Sequence, residues 1–488
     1  LTEDLFIVIR GGRYALSSTF DLGSEDSGNN GYRVVWRNYP SEQVEIHGLE
    51  LLISSSWEQW NGNIYRIKLA SGQEFYTLYE EDTRAYIAQE PDFDPDTLQG
   101  TYLLTDGQRM VDNDECNRYF FRFRDGDIAQ GPDYSHAKVY VKHSDWFFNL
   151  LPVESIDFNE HMVSFSLNAE YRIPYDKKGG ESPGCFEPQQ GEKLNNHYRL
   201  LNVLEFLDSP REFYIDTDED YLSYWPESDI SSTDIYVPKV SDLVILSEAS
   251  HIELHGLRFF GTDFVDVISG KDGHQVSDNA LITITDSSNI KIRNSDISQS
   301  GVNGVRVLGS SNINILDNEI HDVGVTGIRS DDSYVVVAGN KVHDTGRIQL
   351  TGRGMGVKDY NNMVRHNDVY NTGYNGMTIA GNKSLYYNND IFNFGSTSAD
   401  GGGIYYHTTA QNENDKSHIA VRNNYIHDFK QLWPGRSNVY GFYQDGRGPK
   451  HNLISHNIIE SPFSGKSSAV VFKGQRNFLL NNIFSGLC

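Results

Sequence analysis

Residues 310–344 read SSNINILDNEIHDVGVTGIRSDDSYVVVAGNKVHD, and this stretch holds two successive copies of one short unit. Each copy has polar residues, a β-branched run, an Asn and then an aliphatic residue. Further copies continue on both sides and place one aligned position at Ser295, Asn318, Asn340, Asn367, Asn389, Asn424, Asn457 and Asn482. A unit of roughly 22–25 residues made of short strands and polar turns is typical of a stacked β-solenoid.

These repeats predict an all-β chain folded as a right-handed parallel β-helix. The units lack a helical period of about ten residues, which disfavours a leucine-rich repeat. The Asn column has a physical reason, because stacked Asn side chains can hydrogen-bond from rung to rung in a turn that tolerates left-handed backbone. We therefore expect the Asn side chains to form a ladder at one corner of the coil.

A second strand in each unit opens with Gly, as in Gly327-Ile-Arg-Ser and Gly403-Ile-Tyr-Tyr-His. Because side chains alternate along a strand, the second and fourth residues after Gly are expected to face outward. With Gly356 opening its strand, the second position is held by Arg306, Arg329, Lys358, Thr378, Tyr405, Tyr443 and Val471. The fourth position is held by Leu308, Asp331, Tyr360, Ala380, His407, Asp445 and Lys473. Rungs about 4.8 Å apart would join both columns into a groove for an extended ligand.

The chain departs from the repeat near its beginning. Residues 1–55 resemble opening rungs of the coil, and the coil resumes from 236 to 488. Between them, residues 56–235 are aromatic, acidic and irregularly spaced, and they are too many for a loop. We therefore predict three segments: opening β-helix rungs (1–55), an inserted β-rich domain (56–235) and the β-helix that carries the groove (236–488).

Charge limits the kinds of partner. The 488 residues contain 41 Lys and Arg against 67 Asp and Glu, a net charge of −26, which argues against nonspecific binding of nucleic acid or acidic membranes. No window approaches 18 consecutive apolar residues, which argues against a transmembrane helix. Residues 341–488, in contrast, hold 15 basic and 10 acidic residues, so an anionic ligand would be tolerated there. The sequence gives no indication of oligomeric state.

Three segments resemble a known enzyme family. They are GGRYALSSTFDLGSEDSGNNGYRVVWRNYPSEQVEIHG (11–48), LLNVLEFLDSPREFYIDTDEDYLSYWP (200–226), and the pair ADGGGIYYHT (399–408) and VYGFYQDGRGPKHNLISHN (439–457). They resemble parallel β-helix glycoside hydrolases of family 141, and more loosely those of family 120. The resemblance implies an exported, secreted or periplasmic carbohydrate hydrolase with two acidic catalytic residues, placed here at Asp400 and Asp445. It does not define the sugar.

The residues themselves direct attention to the same region. Two units are enlarged to 35 and 33 residues, and long loops on a rigid solenoid usually carry function. These units contain Asp400, His407 and Asp445, and a glycosidase needs one carboxyl group as acid and a second as base or nucleophile. Along a straight strand, however, seven residues would separate Asp400 from Asp445 by roughly 23 Å. Either the Gly-rich corner bends Asp400 back, or the partner is Asp331, Glu413 or Asp415.

Substrate-binding residues are expected on the same face. Basic side chains would bind carboxylates or sulfates of an anionic glycan, and outward aromatic rings would stack on sugars. The candidates are Arg329, Arg353, Lys358, Tyr405, Trp433, Arg436, Tyr443, Arg447 and Lys473. His407 is a candidate for tuning Asp445 or for general-base chemistry. We expect Asp445 to be exposed.

Metal and redox signals are weak. The acidic runs PDFDPD (91–96) and DTDED (216–220) offer oxygen ligands without the spacing of a calcium loop, so we expect neither metal nor cofactor, with structural calcium unsupported. The Cys residues at 116, 185 and 488 are too few for a disulfide framework, and a Cys116–Cys185 bridge is left open.

Two other functions remain open. A polysaccharide lyase uses a base beside a uronate carboxylate, and GVKDYNN (356–362) resembles the lyase pattern at Lys358. The Arg expected one rung later is replaced by Ala380, which disfavours this alternative. The third possibility is a noncatalytic glycan-binding β-helix, in which Asp400 and Asp445 would be ordinary turn residues.

Overall fold

The computed structural model describes residues 1–94, 99–106, 118–144, 146–167, 169, 173, 196–265, 277–407, 418–429, 438–446, 451–461, 468–474 and 476–486. Within these ranges the chain forms β-strands and three short 3₁₀ turns, at Ser24–Asp26, Ser54–Ser56 and Leu204–Phe206, with no α-helix. No helix in this described part is long and apolar enough to cross a membrane.

The chain divides into two compact units. The first comprises Leu1–Glu50, Pro238–Val265 and Asp278–Cys488, and the second comprises Leu51–Val237 and Asp266–Ser277. The sequence analysis placed these divisions at residues 55 and 235. Three parallel sheets build the first unit, which is a parallel β-helix as predicted.

The first sheet of the coil has 11 parallel strands. In spatial order they are Leu5–Ile9, Val34–Asn38, Ile252–His255, Lys291–Arg293, Ile313–Leu316, Val335–Ala338, Met363–Arg365, Leu385–Tyr387, Ala420–Arg422, Leu453–Ser455 and Phe478–Leu480. The second sheet also has 11 strands. They are Gly12–Ala15, Val44–His47, Arg258–Phe260, Asp296–Ser300, Glu319–Val323, Lys341–Thr345, Asp368–Thr372, Asp390–Phe394, Tyr425–His427, Ile458–Glu460 and Ile483–Ser485.

The third sheet has 10 parallel strands and carries the candidate site. The strands are Phe20–Leu22, Val244–Ser247, Ala280–Thr285, Asn303–Leu308, Ile328–Ser330, Met355–Val357, Met377–Ile379, Gly401–His407, Val439–Asp445 and Ser468–Phe472. Each chain turn therefore contributes one strand to each sheet, in the order first, second, third. One such turn is called a rung below.

The core follows from side-chain alternation. In the first sheet, Ile315, Val337 and Val364 occupy one register position on successive rungs, and all three are fully buried. Because one face of each strand points inward, these β-branched residues stack into a continuous apolar column. Each such side chain contributes about 1.5–3 kcal/mol through burial.

The Asn ladder is present at the corner between the first and second sheets. Asn318, Asn340, Asn367 and Asn389 each donate from Nδ2 to the Oδ1 of the next Asn at 2.9–3.0 Å. The left-handed backbone lies one residue earlier than expected, as in Asp317, whose φ is 55°. The Asn residues themselves are thus free to point their amides along the coil axis and bond from rung to rung.

The second unit is built from β-sheets with mostly antiparallel pairing. One eight-stranded sheet has the order Leu49–Leu52, Ile235–Pro238, Leu78–Glu80, Thr83–Ile87, Glu212–Asp216, Tyr221–Tyr224, Ile64–Lys68 and Glu58–Asn61. Another contains Gln89–Glu90, His197–Leu201, Lys138–Ser144, Phe147–Asp157, Met162–Phe165, Phe120–Arg122 and Leu103–Leu104. The pair Phe93–Asp94 and Gln99–Gly100 forms a small hairpin.

Candidate active site

Two neighbouring strands of the third sheet are longer than the rest. Gly401–His407 and Val439–Asp445 each have seven residues, and they pair in parallel with Tyr405 opposite Tyr443 and His407 opposite Asp445. These strands lie in the two enlarged repeat units. Asp400 directly precedes the first of these strands, and Asp445 ends the second.

The register of the outward columns differs from the expectation at one rung. Gly354, and not Gly356, opens the strand, because Met355 pairs with Ile328 and Met377. The sequence GRGMGVK contains three glycines, and the repeat pattern alone did not distinguish them. The second outward column therefore reads Arg306, Arg329, Gly356, Thr378, Tyr405, Tyr443 and Val471. Lys358 belongs to the other column, between Asp331 and Ala380, and Tyr360 lies beyond both.

Asp445 ends its strand and accepts hydrogen bonds from the described side chains of Tyr405 and Lys473. The Tyr405 hydroxyl donates to Oδ2 at 3.0 Å, and Lys473 Nζ donates to Oδ1 at 2.8 Å. The Asp445 side chain is only 23% exposed, so the expectation of an exposed carboxylate is wrong. Its burial follows from the long Tyr405 and Lys473 side chains, which reach over it from the neighbouring rungs.

Asp400 reaches the same group of side chains from the other end of its strand. Its φ of 59° is left-handed, and its amide donates to the carbonyl of Asn438 at 2.9 Å. The Tyr443 hydroxyl donates to Asp400 Oδ1 at 3.1 Å. The Tyr374 hydroxyl donates to the Asp400 carbonyl at 3.0 Å. The Gly-rich corner thus holds Asp400 where the Tyr443 side chain can contact it.

Tyr443 and Lys473 join the two carboxylates. The Tyr443 hydroxyl lies 3.1 Å from Asp400 Oδ1 and accepts a hydrogen bond from Lys473 Nζ. Lys473 Nζ also lies 2.8 Å from Asp445 Oδ1. These links place Asp400 Oδ1 and Asp445 Oδ1 no more than about 8.5 Å apart, so their separation does not exceed the upper limit of about 9.5 Å found in glycosidases. The strand separation of roughly 23 Å is therefore not the separation of the functional groups.

The phenols of this group remain protonated donors. Burial and then the negative charge of Asp400 raise the pKa of Tyr443 above its ordinary value. Burial, Tyr374 and Asp445 likewise raise the pKa of Tyr405. Each hydroxyl can therefore donate to its carboxylate at neutral pH and above, which favours the ionised carboxylate.

The aromatic candidates have different exposure. Tyr405 is half-buried, but Tyr443 is only 1% exposed, so Tyr443 has no free ring face on which a sugar could stack. Its ring lies against Tyr405 and Tyr440, with centroids 5.3 and 4.6 Å away. Tyr443 thus acts through its hydroxyl, contrary to the predicted stacking role.

The basic candidates form a separate charged group. Arg306 and Arg329 both contact Asp278 and Asp331, and Lys358 Nζ lies 3.5 Å from Asp331 Oδ1. Burial alone would raise the pKa of Asp331, but the charges of Lys358, Arg306 and Arg329 lower it. Asp331 therefore stays ionised among cations and lies four rungs from Asp445 in its column, so it does not serve as that residue's partner.

Sequence reasoning missed two buried residues. Tyr374 is 6% exposed and supports Asp400, and Asn375 Oδ1 accepts a hydrogen bond from the amide of Gly402 at 2.8 Å. Both directly precede Gly376, which opens a third-sheet strand. Tyr374 stands where two earlier units carry Val302 and Val325, and this departure from an aliphatic residue was the available signal.

Several candidates lie outside the described residues. They are Trp433, Arg436, Arg447, Glu413 and Asp415, together with Cys116 and Cys185. His407 is described through its backbone, which lies opposite Asp445. Among described residues, no group of three or more His, Cys, Asp or Glu side chains is arranged to hold a metal ion.

The chain is similar to known parallel β-helix proteins. Residues 267–419 match the family described as a right-handed beta helix region. A solved glycoside hydrolase superposes with a TM-score of 0.75 at 16% identity, covering 99% of this chain and 89% of its own. A complex of XylC with xylose covers 98% of this chain and 64% of its own, with a TM-score of 0.45 and 9% identity. None of the curated proteins matches the sequence. At such identities the likeness shows the fold.

Proposed function

We propose that this protein is a glycoside hydrolase in which Asp400 and Asp445 are the two catalytic carboxyl groups. The observation that carries the proposal is their connection through Tyr443 and Lys473, which limits the separation of these carboxylates from two enlarged rungs to about 8.5 Å, short enough for glycosidic cleavage. The similarity to a solved glycoside hydrolase over nearly the whole chain supports it. So do the motifs that resemble family 141.

The neighbouring side chains suggest how the carboxylates would act. Asp445 accepts from Tyr405 and Lys473, so it is favoured as an ionised carboxylate, the form needed in a nucleophile or base. Asp400 accepts from the neutral Tyr443 hydroxyl, and because a glycosidase needs an acid beside the base or nucleophile, that role falls to Asp400. We assign Asp400 as acid and Asp445 as base or nucleophile.

The substrate in this proposal is a poly- or oligosaccharide that carries anionic groups, uronates or sulfates. The basic balance of residues 341–488 and the cluster of Arg329, Arg353 and Lys358 support this choice. The proposed chemistry uses carboxyl groups alone and requires no cofactor. We also propose that the protein is exported, because polymeric glycans are met outside the cytoplasm.

Product analysis tests the proposal directly. Purified protein is incubated with uronate-containing, sulfated and neutral glycans, and reducing ends, product masses and ultraviolet absorbance are followed. New reducing ends without an unsaturated product are expected. An unsaturated product would identify a lyase acting through a base such as Lys358, and binding without cleavage would identify a noncatalytic protein.

A matched pair of variants assigns the residues. Asp445→Asn should lower turnover by about 10²–10⁴-fold, the usual contribution of a general acid or base. Asp317→Asn makes the same chemical change at a corner position where other rungs carry Asn294, Asn388 or Asn423. Asp317→Asn should leave turnover unchanged. Equal rates in both variants would refute the role of Asp445.

A further inference from the structure

A glycine interrupts the outward column of long side chains. Gly356 lies between Arg329 and Thr378, and among the described residues no atom beyond its two chain neighbours lies within 4 Å of the position that a Cβ would take there. The residue is nevertheless buried, so the open space above it is a recess in the face. This recess, with Arg329, Arg353 and Lys358 around it, is called the cationic notch.

Packing does not explain the glycine. At Gly354, two residues earlier, a Cβ would lie 2.3 Å from Val369 Cγ1 and 2.6 Å from the carbonyl oxygen of Gly376. At Gly356 a Cβ would meet nothing, and the backbone is not left-handed. A side chain would therefore fit at this position in both space and conformation. What Gly356 provides is the open space itself.

The walls of the notch carry positive charge. Lys358 lies two residues after Gly356, and Arg329 pairs with Gly356 from the preceding rung. The charge of Arg353 acts on both Arg329 and Lys358. Burial and then the charge of Arg353 lower the pKa of Lys358, while burial and Arg306 lower that of Arg329. These cations are thus close enough to repel each other in a poorly hydrated place.

The described carboxylates nearby are fewer than these cations. Asp331 contacts Arg306, Arg329 and Lys358, and Asp278 contacts the two arginines. Burial raises the pKa of Asp332, the residue that follows Asp331. Among the described residues no carboxylate forms an ion pair with Arg353, whose Nε is buried without a hydrogen-bond partner. Its guanidinium lies 5.9 Å from the ring centroid of Tyr374, the residue that supports Asp400.

We propose that the cationic notch is a subsite for one anionic group of the glycan, a carboxylate or a sulfate ester, bound by Arg353 and Lys358 above Gly356. The proposal rests on the function proposed above and adds the place where an anionic group of the glycan binds. Gly356 and Tyr405 are two rungs apart in one column, about 10 Å. The anion would therefore belong to a sugar next to the one whose bond is cleaved. The planar guanidinium of Arg353 can donate two parallel hydrogen bonds to the anion, and the ammonium group of Lys358 adds a compact positive charge.

The test is binding of three trisaccharide probes by calorimetry: oligogalacturonate, a sulfated galactose trisaccharide and neutral xylotriose. At least one anionic probe should bind more tightly than xylotriose, and which one does so distinguishes carboxylate from sulfate. Lys358→Met should weaken that binding about ten-fold or more, as loss of a charge-assisted contact does. Lys341→Met, an exposed lysine of the second sheet, should have no effect.

A second variant keeps all the charges. Gly356→Thr copies Thr378 of the next rung and fills the notch, so it should weaken the anionic probe while the thermal unfolding temperature is retained. Failure of both anionic probes to bind more tightly than xylotriose, or unchanged affinity in Lys358→Met and Gly356→Thr, would overturn the proposal. If product analysis shows no cleavage while these variants still weaken binding, the proposed function fails and the anion subsite stands.

Discussion

The Asn ladder and the outward face of the third sheet belong to the same coil, yet they are built on opposite principles. In the ladder, one residue type recurs and each copy bonds to the next, as Asn340 does to Asn367. On the third sheet, neighbouring positions change from Arg329 to Gly356, Thr378 and Tyr405. Repetition holds the rungs together, and the positions that break it carry the charges, the open space and the carboxylates.

The largest expected effect follows from removing a carboxylate on the irregular face. Asp400→Asn keeps the hydrogen bond from the backbone amide of residue 400 to the Asn438 carbonyl. Its side chain cannot act as the acid that protonates the leaving group. Turnover should fall by about 10²–10⁴-fold, with thermal unfolding nearly unchanged, as measured on whichever glycan the product analysis identifies. Full activity in Asp400→Asn would mean that the break in the repeat at this corner serves structure.

On the regular side, breaking the ladder should affect stability and leave chemistry intact. Asn367 is fully buried, accepts from the amide and Nδ2 of Asn340, and donates to Asn389 and to the carbonyl of Val337. Asn367→Ala leaves these groups unsatisfied and should lower the free energy of unfolding by about 2–4 kcal/mol in denaturant titration.

Asn314→Ala is the control for the ladder. Asn314 lies outward and half-buried on a first-sheet strand, so its loss should change stability by about 0.5 kcal/mol or less. Comparable destabilisation in both variants would contradict the special role of the Asn column. Activity of Asn367→Ala below its unfolding temperature should match that of the unsubstituted protein.

The contrast also explains what the sequence could predict. The parallel β-helix and the Asn ladder were predicted because they repeat, and alternation after the opening Gly predicted outward positions such as Arg329 and Tyr405. The register at Gly356 was wrong because local spacing cannot choose among three glycines in GRGMGVK. The joining of Asp400 to Asp445 depends on where the long side chains of Tyr443 and Lys473 end, which no repeat encodes. The burial of Tyr443 likewise depends on Tyr405 on the neighbouring rung and on Tyr440 in its own strand.

A smaller effect should appear in the pH dependence of stability. Cations lower the folded-state pKa of Asp331 below its ordinary value, so its ion pairs stabilise the fold above that ordinary value, near 3.8. This contribution is lost as pH falls through the lower, folded-state pKa. The difference in unfolding temperature between the unsubstituted protein and Asp331→Asn should therefore be constant from pH 7 to 5 and shrink below about pH 4. A constant difference down to pH 2.5 would contradict this assignment.

The smallest effect expected is the most discriminating, because it compares two glycines two residues apart. Gly354→Ala would press its Cβ against Val369 and the Gly376 carbonyl, and such overpacking should cost about 1–3 kcal/mol. At Gly356 the new Cβ of an alanine would enter open space, and the backbone there is not left-handed. Gly356→Ala should therefore stabilise the protein by about 0.4–1 kcal/mol, because alanine lowers the conformational entropy of the unfolded chain. Paired denaturant titrations separate the outcomes. If both substitutions destabilise equally, Gly356 is one more packing residue of the coil; if only Gly354→Ala does, the glycine at 356 is retained for what binds above it.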